Sequence, residues 1–122
     1  MPERIFWRIV RSNPPIVWDF RSNQERRRRP RDTNPETLRL WSGLSVYASM
    51  EAARRTARSF PRIGSFLAQV RLENEDDVRV EKTLGPDHFT LWGDADFLLT
   101  RVILVTPVWT SRSEADGHDY NI

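Results

Sequence analysis

The chain has 122 residues, a length that suits one domain burying about two-thirds of its unfolded surface around a single core. A hydrophobic fraction of 39% with five Trp and six Phe excludes a disordered composition, and the absence of cysteine excludes disulfides, thiol nucleophiles and thiolate metal sites. Net charge is only +2, yet the bases concentrate between Arg21 and Arg62, and Lys82 is the only lysine among 19 basic residues. Arginine presents a planar, weakly hydrated fork that suits phosphate and carboxylate, so this surface is compatible with an anionic partner.

With two His, no zinc site is expected. The opening Met1, Pro2, Glu3, Arg4 lacks the pattern of a signal peptide, and no apolar run approaches the roughly 20 residues that span a bilayer. The expectation is a cytoplasmic protein without a membrane segment.

Ile5 to Val10 (IFWRIV) reads as a strand with Phe6, Arg8 and Val10 on one face and Trp7 and Ile9 on the other. Arg8 stands out, because a cation on so apolar a strand is either a strand-end residue reaching water or a cleft cation. Ser12, Asn13, Pro14 and Pro15 break the chain, and Ile16, Val17 and Phe20 then share helical spacing over one or two turns. Glu25 to Glu36 contains two prolines and no apolar residue, which predicts a solvated loop. Within it, Arg26, Arg27, Arg28 and Arg29 are the place to look for nucleic acid, since clustered arginine releases counterions from phosphates. No aromatic residue is interleaved there to stack bases.

Pro35 to Trp41 suits a short helix, with proline and glutamate in its first turn. Leu44 to Ala48 reads as a strand, and Ser49 is placed to cap a helix running to about Ser59, with Glu51 early and Arg54, Arg55 and Arg58 late. Strands are predicted over Phe66 to Leu72, Val78 to Thr83 and His88 to Trp92, with a helical turn over Asp94 to Leu98. Leu99 to Trp109 is the longest apolar run and is expected to form a central strand, with Pro107 marking where pairing weakens. Residues 111–122 are expected to form a flexible tail after a single domain over 1–110.

Strands that cluster after a helix favour an α+β fold with a small mixed or antiparallel sheet and two or three short helices. The chain contains no G-x-G-x-x-G, P-loop, G-x-S-x-G or H-E-x-x-H, and no internal repeat.

The stretch Gly43 to Ala57 (GLSVYASMEAARRTA) resembles the strand-into-helix unit of ADP-ribosyltransferase-like domains, including the bacterial RES toxins and the small rifampicin-modifying transferases. Elsewhere the likeness is one of layout: an early strand carrying Arg or His, the Tyr strand with its helix, then a strand-rich second half. The whole chain also resembles a bacterial domain of this length. The resemblance implies a split sheet and NAD as substrate, with transfer of ADP-ribose to a target or to water, as in a toxin or defence effector. It implies that Arg8 grips phosphate or ribose, that Tyr47 packs on the nicotinamide, and that Ser49 lines the same cleft beyond its role as a cap. A later acid or polar residue should act on the ribose; Glu81 is the first choice, with His88 and Glu73 behind it. Neither an E-x-E pair nor the late Ser motif of the RES toxins is present. The alternative expectation is a non-catalytic module that holds an anionic ligand, nucleic acid or protein partner, or a toxin and antitoxin component with a tryptophan such as Trp109 at the interface.

Overall fold

Strand β1 (Arg4–Val10) sorts its side chains as alternation requires: Phe6 and Val10 enter one hydrophobic cluster, Trp7 and Ile9 a second on the opposite face. The computed structural model describes residues 3–109. Within them the chain forms α1 (Pro35–Trp41), β2 (Leu44–Tyr47), α2 (Met50–Ser59), β3 (Phe66–Leu72), β4 (Arg79–Lys82), β5 (His88–Trp92), α3 (Ala95–Thr100) and β6 (Val102–Pro107). A single 3-10 turn at Val17–Phe20 follows β1.

The six strands make one antiparallel sheet in the order β4-β5-β2-β1-β3-β6, so the fold is α+β with a small sheet. Its seams are unequal. β1 pairs with β3 along its whole length, from Arg4 opposite Leu72 to Val10 opposite Phe66. Between β1 and β2 only Trp7 and Tyr47 are in register, so the two central strands meet at one point and part beyond it.

Each face has its own cover. Helix α2 lays Ala52, Ala53 and Ala57 inward, and these short side chains let it approach Trp7, Ile9 and Leu67 closely. Ser49 caps it by accepting the Ala52 N–H at 3.0 Å, as the sequence predicts. On the other face Phe20 and, from α3, Ala95 and Leu98 pack with Phe6, Val46, Val70 and Leu91.

Buried Asp19 fixes the connection after β1: its two carboxylate oxygens accept the N–H groups of Arg11 and Ile16, both at 2.9 Å. Gly64 brings the α2–β3 loop against the end of β1, where a Cβ would collide with the carbonyl of Val10. That contact sets Arg62 beside Arg11, whose Nη2 donates to the Arg62 carbonyl at 2.7 Å.

One expectation is corrected. The apolar run at Leu99 to Trp109 is not a central strand: its first residues close α3, and β6 is an edge, with Ile103 and Leu104 exposed and Pro107 where no ladder N–H is demanded. Trp109 is half-buried against the α2 face, with the Arg58 guanidinium 4.5 Å from its ring centroid. The tail expected over 111–122 lies outside the described residues. No helix among the described residues is long and apolar enough to cross a membrane.

Asp19→Ala removes a buried carboxylate that accepts two part-buried backbone N–H groups, and we expect a loss of about 1–3 kcal/mol in stability. Urea unfolding followed by tryptophan fluorescence measures it; an unchanged midpoint would contradict the role given to this carboxylate.

Candidate functional site

Where β1 and β2 part, the guanidinium of Arg8 occupies the opening. Its Nη1 donates to the Ser45 carbonyl at 2.8 Å and its Nε to the Asp19 carbonyl at 3.1 Å. A side chain thus satisfies a β2 carbonyl where regular pairing with β1 has stopped. Both acceptors are neutral, so neither cancels the charge.

This opening leads into a cleft of about 500 Å³ lined by Arg8, Arg11, Arg21, Arg26, Arg28 and Arg62, with Tyr47 and Ser45 on the β2 side. No Asp or Glu lines it, and none of the six arginines forms an ion pair with a carboxylate among the described residues. Burial and the nearby charge of Arg26 push Arg8 down to about 10, against the opposing pull of Asp19. Arg26 is lowered by burial and by Arg28 and Arg11, and its Nε is buried without a hydrogen-bond partner.

The 21–29 loop that delivers three of these cations is built rather than loose. Ser22 is buried; its N–H donates to Glu25 and its hydroxyl accepts the Glu25 N–H, closing a reciprocal pair. Gln24 N–H reaches the Trp41 carbonyl, and the Trp41 indole donates to the Arg28 carbonyl at 2.8 Å. Arg21 and Arg26 both lie over Trp18, 5.6 and 5.4 Å from its ring centroid.

Tyr47 faces two clefts. The second, about 280 Å³, is lined by Tyr47, Arg55, Thr56, His88 and the 84–87 turn. In that turn Leu84 has a φ of 54° and Gly85 one of 128°, so a bulky side chain is held in the left-handed region at the cleft's edge. His88 is opposite Tyr47 in register, and their rings meet edge to face at 5.3 Å. His88 Nδ1 lies 3.0 Å from both the carbonyl and the hydroxyl of Thr83; donation to the carbonyl, which can only accept, requires the proton on Nδ1 and leaves a lone pair on Nε2. Burial lowers the His88 pKa from its usual range, while the Thr83 bond opposes the shift.

The structure therefore brings Arg8, Tyr47 and His88 around β2 and leaves other candidates apart. Glu81 does not reach either cleft. It lies on edge strand β4 in a pair with Arg79 and at 2.9 Å from Arg39, and these two arginines hold its carboxyl below the usual range. Glu73 sits in the β3–β4 turn, raised by neighbouring Glu75. Ser49 spends its hydroxyl on the α2 cap and lines neither cleft. Of the basic run, Arg26 and Arg28 line the first cleft while Arg27 and Arg29 do not. Arg11, Arg21 and Arg62 were not singled out in the sequence, because no local motif joins three segments so far apart. Among the described residues no cluster of His, Asp and Glu could hold a metal ion.

Comparison with family models, with curated proteins and with solved structures returns no match.

The His88 shift has a definite sign. A histidine whose folded pKa is depressed binds its proton better when unfolded, so its contribution is complete above about pH 6.5 and is lost as pH falls below that value. Wild type should therefore lose more stability than His88→Gln between about pH 7 and pH 5. Parallel thermal melts across this range measure the difference, and coincident pH profiles would contradict it.

Proposed function

We propose that the protein binds a dinucleotide of the NAD type and cleaves its nicotinamide glycosidic bond, passing ADP-ribose to a target or to water. The observation that carries this reading is the convergence of Arg8 and Tyr47 on one cleft whose charged lining is entirely arginine. Arginine forks match phosphate oxygens in a bidentate manner, and the absence of lining carboxylates leaves the cleft attractive to an anion, with buried Asp19 offsetting part of the charge on Arg8 and Arg26. The bridging phosphates lie against the arginines, and the nicotinamide ring packs on Tyr47 toward the second cleft. A flat electron-rich ring suits the positively charged nicotinamide of the bound substrate.

His88 replaces the acid that Glu81 cannot supply. As the bond between the ribose C1′ and the nicotinamide nitrogen breaks, nicotinamide leaves with the electron pair and positive charge develops on the ribose. A neutral imidazole accepts a hydrogen bond from a ribose hydroxyl through Nε2, or takes the proton released by an attacking water. The lowered pKa keeps that lone pair available at neutral pH.

A second reading rests on the same arginines and on the absence of Glu81 and Glu73 from both clefts: the cleft holds an anionic ligand without transforming it. Calorimetry with NAD and chromatographic detection of released nicotinamide separate the two. Under the proposal NAD binds, nicotinamide accumulates, Tyr47→Ala weakens binding by about tenfold or more, and His88→Gln lowers turnover by about a hundredfold with little change in binding. Binding without release by wild-type protein would leave the non-catalytic reading. Absence of both NAD binding and nicotinamide release would end the NAD-cleaving reading.

A further inference from the structure

The cleft holds more cations than a plain dinucleotide uses. A bridging diphosphate brings about one negative charge per phosphate, about two in all, against six arginines. These arginines come from two groups of segments. Arg8 and Arg11 extend from β1 and its end, and Arg62 joins them through the Arg11 contact to its carbonyl. Arg21, Arg26 and Arg28 belong to the separately braced loop, held by the Ser22–Glu25 pair and by Trp41.

Resting on the dinucleotide reading above, we propose that the favoured ligand carries a phosphomonoester in addition to its bridging diphosphate, as NADP does, and that the 21–28 loop binds this extra phosphate. A terminal phosphate adds about 1.5 to 2 negative charges and three acceptor oxygens, enough to engage the second arginine group. None of the loop arginines is paired with a carboxylate among the described residues, so their forks can engage such an oxygen. Mutual repulsion among Arg8, Arg26, Arg28 and Arg11 favours the same occupant, because a concentrated anion relieves it. A ligand with only two charges leaves most of the six arginine charges unmatched.

Calorimetric titration of the full chain with NADP and with NAD, in the same low-salt buffer, tests the inference. NADP is expected to bind about tenfold more tightly or better, with the advantage shrinking as salt is added. Arg28→Ala should reduce the ratio of the two affinities, since the Arg28 carbonyl that anchors the loop is a backbone group and survives the substitution. Affinities equal within about twofold would overturn the inference and leave the dinucleotide reading standing. A ratio unchanged in a folded Arg28→Ala variant would overturn the loop's part. If neither nucleotide binds, the dinucleotide reading and the inference fall together. Displacement of NADP by a short single-stranded RNA at lower concentration than by unlabelled NADP would overturn it in favour of nucleic acid.

Discussion

Arg8 sits where the sheet changes from continuous to open, and the guanidinium that bonds the Ser45 and Asp19 carbonyls fills a place that strand pairing leaves vacant. Take away that bridge and a β2 carbonyl and the turn after β1 both lose a donor, beside a seam already reduced to Trp7 and Tyr47. The same bridge tethers the cleft's floor to the buried Asp19 turn. One side chain thus joins strand, turn and cleft. An ion of this kind is tolerated only because neutral carbonyls share its hydrogen-bonding demand while its charge remains directed at an opening.

Around that bridge the chain arranges its charges by sign. Acids near the sheet's far edge are matched by arginines, as with Glu36 and Glu81 on Arg39. The cleft side has no such matching, and its cations are held by carbonyls and by an aromatic face instead. This asymmetry explains how a protein with a formal charge of only +2 can present a strongly positive recess.

Elements defined by local chemistry were legible in the sequence. The Ser49 cap, the early Glu51 and the alanine face specify α2 without help from the rest of the fold, and short β-prone runs bounded by turn residues specify β3 and β5 to their ends. The placement of β6 was not legible, because an apolar run reports affinity for a sheet and says nothing about which strand lies beside it. Glu81 misled for a related reason: alternation put it on a strand, but its partner Arg39 is 42 positions away on α1. The cleft itself is a product of topology. Arg11 and Arg62 meet across 51 positions through one carbonyl, and the open seam that admits Arg8 appears only when two strands of unequal pairing are laid side by side.

Trp18 sets the dynamics of the loop arginines. Free arginine side chains sample many rotamers and surrender up to about 2 kcal/mol of entropy each when a ligand fixes them. Arg21 and Arg26 already rest on a shared indole, and Arg26 also donates to the Trp18 carbonyl at 2.8 Å. Much of that ordering is complete before any anion arrives, so an incoming phosphate meets donors whose geometry is set and whose capture needs little further conformational search.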